Sequence, residues 1–321
     1  MTVPFATRRA LLAATLALPA LRPARAAWPE RTIRLIVPVA PGGSQDIVAR
    51  LSARALTEAL GQTVQVENVP GGGSNIGYAA AARAAPDGYT ILAGSDTLSI
   101  TGAVTPRLGF DPLGFAPIHR SVRVPQIFVV RADHPATDFA SWVEAARSRP
   151  PAVGTPGNAS LAHLLVEQLS RATDTNWTHV PYRGGALAVN DLLAGQLQGV
   201  VINIGAVTDH VRGGRLKAFW VSPDARTTAL PDVPTLREVG LGAFSVVGWH
   251  GLVAPPGTDP AIAARINAAN RAGLRRPDIA ERLAGLGVEP TDEAPEALSE
   301  AIRADAARFA EVVRRFGIRG E

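Results

Sequence analysis

The sequence predicts an α/β protein, a sheet flanked by helices. Two observations carry this expectation. Short apolar runs are repeatedly followed by a glycine-bearing turn and then by apolar residues at three- and four-residue spacing, which is strand, turn and helix in order. The composition, 46% hydrophobic and 19% charged over 321 residues, is that of a globular chain long enough for two domains with sizeable cores.

The first unit begins with "IRLIVPV" at 33–39, a buried strand that Pro38 ends or places near an edge. "PGGS" turns the chain. Val48, Leu51, Ala55 and Ala59 then share one helical face, and Gly61 closes the helix. "TVQVEN" at 63–68 is a second strand, "PGGGSNIG" leads into a helix over 75–85, and "GYTILAGS" at 88–95 is a third strand. Repeated strand–helix units predict a parallel sheet with helices over it. The middle of the chain repeats the logic and could form its own lobe. It reads as a strand at 127–130, a helix at 139–149, and a helix at 160–169 after "AVGTPGN". Then come "THVPY", the helix "GGALAVNDLLAGQ", the buried strand "GVVINIG", a helix at 206–212 and the strand "LKAFWVS". "WHGLVAPPGTDP" reads as a strand and turn, Pro260 starts a helix, and 295–316 is strongly helical.

The N-terminus has a different character. Arg8 and Arg9 precede an apolar stretch at 10–21, followed by Ala24-Arg25-Ala26, the order of a secretory signal with cleavage after Ala26. The apolar run falls short of the ~20 residues a membrane span needs. Export to the periplasm is expected, by a Sec or twin-arginine route. No insertion of the mature chain into a membrane is expected. Cleavage would lower Lys+Arg from 32 to 28 against 28 acids, so the mature chain is nearly neutral and gives no argument for nucleic acid. There is no cysteine, which excludes disulfides, thiolate metal sites and cysteine nucleophiles.

Function is sought where strands give way to helices. Ligands in open α/β sheets bind beyond the carboxyl ends of strands, and helix N-termini there favour anions. Gly42 and Gly43 permit close backbone approach, Ser44 can cap or donate, and Asp46 can accept from a ligand or complement the helix dipole. In the middle block Thr155, Gly157, Asn158 and Ser160 stand where a turn enters a helix, with His163 one turn on. Ser95 and Asp96 end the third strand, Asn203 ends "GVVIN", and Tyr182 and Arg183 follow "HVP". Ser74 and Asn75 are further polar contacts, and Trp249 and His250 read as packing or as ligand contacts. "PGGGSNIG" does not satisfy the dinucleotide fingerprint, because Ile76 stands where its last glycine belongs, and no Walker lysine follows any glycine loop. None of the six histidines forms a close metal pair, and no G-x-S-x-G elbow is present. No cofactor and no catalytic group is expected.

Taken together, "WPERTIRLIVPVAPGGSQDIVAR", "LGQTVQVENVPGGGSNIG", "AAPDGYTILAG", "THVPYRGG", "DLLAGQL", "LPDVPTLREVG" and "GLVAPPGTDP" make the chain resemble the periplasmic solute-binding receptors of the tripartite tricarboxylate transporter family, the Bug receptors. The resemblance implies a two-lobed, Venus-flytrap-like fold. One lobe would hold 27–127 and 250–321, and the other 128–249. It also implies a small carboxylate or related amide held between the lobes and delivered to a membrane permease. A sensor partner that reads the same closed state is the alternative; an exported enzyme is a weaker one. "APGGSQD" matches one ligand loop and adds Ala40 to Gly42, Gly43, Ser44 and Asp46. "GNASLAH" matches a second loop at Gly157, Asn158, Ser160 and His163, and departs from it at Ala159, Leu161 and Ala162. Asn203 stands where the family often carries aspartate, and Asp96 where it usually carries a small residue.

Overall fold

The computed structural model describes residues 28–105 and 107–318. The expected signal, 1–26, lies outside the described residues. The chain forms β1 (Ile33–Val37), α1 (Ser44–Leu60), β2 (Val64–Asn68), α2 (Asn75–Ala82), β3 (Thr90–Ser95) and α3 (Asp96–Val104). It continues through β4 (Ala116–Arg131), α4 (Phe139–Ser148), β5 (Ala152–Thr155), α5 (Leu161–Ala172), β6 (Thr178–Pro181), α6 (Gly185–Leu193), β7 (Gly199–Asn203), α7 (Thr208–Arg212) and β8 (Leu216–Val221). β9 (Val247–Ala254), α8 (Pro260–Leu274), α9 (Pro277–Leu286), β10 (Glu289–Pro290) and α10 (Pro295–Phe316) complete it.

The strands run in the order β2-β1-β3-β9-β4-β7-β5-β6, with β10 and β8 also paired to β4. The two ends are parallel, β2-β1-β3 and β7-β5-β6, as strand–helix repetition predicts. The middle is not: β9 is antiparallel to β3 and β4, and β4 is antiparallel to β7 and β8. The sheet is therefore mixed, because β4 and β9 carry the chain between two halves.

β4 extends well before the expected 127–130. Its early residues include Pro117, His119, Arg120, Arg123 and Pro125, which break any apolar run, and its register against β9 shifts twice. Up to Pro125 it pairs with β9; from Gln126 onward it pairs with β7. The crossover is cross-linked. Gln126 N–H donates to Ser222 Oγ at 2.9 Å, Ser222 N–H to Gln126 O at 2.9 Å, and Val246 N–H to Ser222 O at 3.0 Å.

Each lobe has its own core. In the first, Ile33, Leu35, Val37, Ile91 and Leu252 pack under α1 and α8. In the second, Phe128, Trp142, Trp177 and Trp220 form an aromatic nest, with Phe128 and Trp142 at 4.7 Å between ring centroids. The C-terminal segment straddles the two. Leu298 and Ile302 of α10 pack with Tyr78, Leu98 and Trp249, whereas Phe309 and Val313 join the aromatic nest. α9 packs on the second lobe through Leu283 and Leu286, and Thr208 Oγ1 donates to Leu286 O at 2.8 Å.

Candidate functional site

Four helices start at one enclosed cavity between the lobes. α1 contributes Gln45, α2 its preceding Ser74, α3 its opening Asp96 and Thr97, and α5 its Ser160, Leu161 and Ala162. The reason is local. β1, β3 and β5 each end in small or glycine-rich segments that turn directly into a helix. The caps before α1 and α2 make no side-chain hydrogen bond to the first-turn amides, whereas at α3 the Asp96 carboxylate accepts from its own and the Thr97 amide, and at α5 Ser160 Oγ accepts from His163 N–H. Orphan N–H groups of that kind carry positive potential. The cavity is narrow, with about 30 Å³ of free volume, and no lysine or arginine lines it.

Two polar side chains on its wall have atoms without a protein partner. The Gln126 side chain is buried, and neither its Oε1 nor its Nε2 has a protein partner. His250 joins its Nε2 to Ser44 Oγ at 3.2 Å, while its Nδ1 has no partner. Burial drives the His250 pKa down to about 4, so the ring is neutral. Asp96 is also buried. Burial, then the nearby Asp305, push its carboxyl up to about 7 against hydrogen bonds from backbone amides; Trp249 N–H reaches its Oδ2 at 3.3 Å.

Of the residues expected from sequence, Ser95, Asp96, Gly157, Asn158, Ser160 and Asn203 line the cavity. Ala40, Gly42 and Gly43 instead form the seam where the lobes meet. Ala40 N–H donates to Arg183 O at 2.9 Å, and a Cβ on Gly43 would lie 3.4 Å from Gly185 N. On the opposite rim a Cβ on Gly73 would come within 2.9 Å of Asn158 O. The lobes are thus closed on each other.

Asp46 does not line the cavity. Its Oδ2 accepts from Gly42 N–H and Arg50 Nε, both at 2.9 Å, and its Oδ1 from Asn68 Nδ2 at 2.8 Å. Burial opposes ionisation, yet Arg50, Asn68 and Gly42 outweigh it and hold the carboxyl below its usual range. Asp46 is a clamp on the 41–43 turn. Ser44 lies behind His250 rather than on the cavity wall.

Thr155 and His163 also stand beneath the site and not on its wall. Thr155 Oγ1 meets His179 Nε2 at 2.7 Å, and His179 stacks on His163 with centroids 3.9 Å apart. Ala159 N–H donates to His163 Nδ1 at 3.3 Å, so the pair props the second loop from below. Tyr182 donates its hydroxyl to Asp191 at 2.7 Å and, with Arg183, Asn75 and Asn158, borders a more open depression of about 370 Å³ beside the rim. Trp249 is packing, its Nε1 donating to Asp305 at 3.0 Å, whereas His250 reaches the cavity wall.

Gln126, Gln45 and Thr97 are wall residues that the sequence did not bring forward. For Gln126 a signal existed: it is the polar residue inside the apolar run "VPQIFVV". Among the described residues no group of His, Cys, Asp and Glu could hold a metal ion, and no helix is long and apolar enough to cross a membrane.

Residues 48–318 match the family described as Tripartite tricarboxylate transporter family receptor. The chain belongs to this receptor family. Protein BugT of Bordetella pertussis (strain Tohama I) is 35% identical over 295 residues, covering 90% of each chain. Two solved structures from Rhodopseudomonas palustris share the architecture. MatC with bound malate is 31% identical, with a TM-score of 0.84 over 89% of this chain and 99% of that one. A protein solved with adipate is 30% identical, with a TM-score of 0.87 over 91% and 99%. The closed pair of lobes and the cavity between them are thus those of a solute-binding receptor.

Proposed function

We propose that the protein captures a small carboxylate-containing organic solute between its lobes and delivers it to a membrane permease without chemical change. One observation carries the reading: four helix N-termini open on a single enclosed interlobe cavity that has no cationic side chain on its wall. An anion there is stabilised by N–H dipoles and not by a lysine or arginine. That malate and adipate occupy relatives of the same architecture supports the carboxylate class.

The mechanism follows from the closure seam. The Ala40–Arg183 bond and the glycine contacts exist only when the lobes meet. A solute that touches α1, α3 and α5 together favours that closed state by its differential affinity for closed over open. Closure excludes water and makes the few polar contacts discriminating. The permease would then read the closed surface. The lobe division proposed for this motion is 27–127 against 128–249, supported by the partner switch of β4 at Gln126. The segment 250–321 would divide between them, since α9 and the end of α10 pack on the second lobe. The signal-like order of 1–26 supports export to the periplasm with cleavage near Ala26.

Native mass spectrometry of the purified protein tests this reading. Added carboxylate should bind in a one-to-one ratio and be released on denaturation with its mass unchanged. Release of a chemically altered product would overturn the transport role.

A further inference from the structure

The charge pattern of the cavity wall narrows the solute further. We propose, resting on the receptor reading above, that the solute carries a nitrogen hydrogen-bond donor, amino or carboxamide, alongside its carboxylate and in place of a second carboxylate. Asp96 contributes the one carboxyl among the residues on the wall; burial raises it to about 7, and above that pH it is negative. Asp305 on α10 adds a second negative charge behind it, and the arginines that act on Asp305, Arg308 and Arg120, do not reach the cavity. His250 is neutral and supplies no compensating cation. The helix N-termini can therefore hold one anionic group, but a second would meet an ionised Asp96 as a like charge in a buried part of the site.

Gln126 supplies the independent observation. It lies at the crossover of the lobes, buried, with both amide atoms unpartnered, and such a group costs free energy unless something fills the space before it. Its backbone is fully occupied by Ser222, so the side chain has no share in holding the strands. Asp96 and Gln126 Oε1 are both acceptors. A nitrogen donor has two or more N–H groups and can serve both at once; a hydroxyl has one hydrogen, and a carboxylate has none. Gln126 Nε2 remains to donate to the solute's carboxylate or carbonyl.

Isothermal titration of the native protein with matched sets tests the proposal: succinate, β-alanine and succinamate; glutarate, 4-aminobutyrate and glutaramate; phthalate, anthranilate and phthalamate. At pH 8, where Asp96 is ionised, the best nitrogen-bearing solute should bind at least about 10-fold more tightly than its dicarboxylate counterpart, the scale of rejection a polar site imposes on a mismatched analogue. Asp96→Asn should shrink that gap to about twofold by improving the dicarboxylate, since the like charge is removed. Gln126→Leu should weaken the nitrogen-bearing solute and serves as the second variant should Asp96→Asn not fold. A dicarboxylate that binds as tightly as its counterparts at pH 8, or a gap that survives both variants, overturns the proposal and leaves the carboxylate receptor standing. A dicarboxylate preferred only near pH 6 overturns it too, since a protonated Asp96 would then be the donor. Absence of binding by every member overturns both readings.

Discussion

At the scale of single residues, the two side chains that matter most to the site are committed in opposite ways. Asp46 spends both carboxylate oxygens on protein groups and so shapes a turn. Gln126 spends neither amide atom and lines the cavity, so both are free to meet a solute. The difference gives a sharp expectation. Gln126→Leu removes a buried unpaired amide, so the solute-free protein should melt no lower than wild type and up to ~1 kcal/mol more stably. The same variant should lose solute affinity by about 10-fold or more. Paired thermal melts and titrations check this, and a large stability loss would assign Gln126 to the scaffold. The loops "APGGSQD" and "GNASLAH" were legible in the sequence because glycine before a helix start has few other uses. Which side chain of those loops turns inward was not legible. Asp46 and Gln45 are neighbours, and only the tertiary positions of Asn68 and Arg50 decide that Gln45 lines the cavity.

At the scale of elements, the glycine seam converts solute binding into closure. Gly43 has φ of −82°, so a larger residue there brings no backbone strain. Its Cβ would nevertheless face Gly185 N at 3.4 Å, and branched γ-carbons would press further into α6. Gly43→Val should therefore hold the lobes apart. Affinity should drop by roughly 10-fold or more as the closed state becomes rarer. Stability of the solute-free protein should change by no more than about 1 kcal/mol, the scale of a helix cap. Titration and a melt without solute separate the two effects; equal affinity would mean that closure does not require this contact. The elements that sequence periodicity finds are those with one clean apolar face, such as α1 and α10. Periodicity misses the first half of β4, where Pro117, Pro125 and three basic or titratable side chains interrupt the pattern of a strand that changes partners midway.

At the scale of the whole molecule, the fold buries histidines in neutral form. Burial drives His119, His163 and His250 down to about 4, and burial with the neighbouring His163 drives His179 down to about 3. A histidine whose folded value is depressed contributes stability that is fully present above its unfolded value near 6.5 and is lost as pH falls toward the folded value. The melting temperature should thus fall between pH 6.5 and pH 4, at a cost of roughly 1.4 kcal/mol per pH unit for each histidine involved, partly offset by Asp96, whose raised carboxyl takes up a proton in the folded state over the same range. His163→Gln combined with His179→Gln should flatten that slope. A pH-independent melt over this range would contradict the assignment. α10 ties the lobes at this scale as well. Its helical extent was readable from its pattern, but its span from the first core to the aromatic nest was not, because amphipathicity gives a face and not a partner. The mixed direction of the sheet was hidden for a related reason: strand–helix repeats are local, whereas β4 and β9 pair across the crossover.

Whether the interlobe cavity holds a carboxylate is decided by thermal stabilisation of the native protein with a panel of mono-, di- and tricarboxylates, amino acids and their amides at neutral pH. At least one carboxylate should raise the melting temperature with saturable dependence on its concentration, as binding to the native state requires, and Gln126→Leu and Gly43→Val should weaken the effect. A folded protein whose melt no carboxylate moves would contradict the receptor reading.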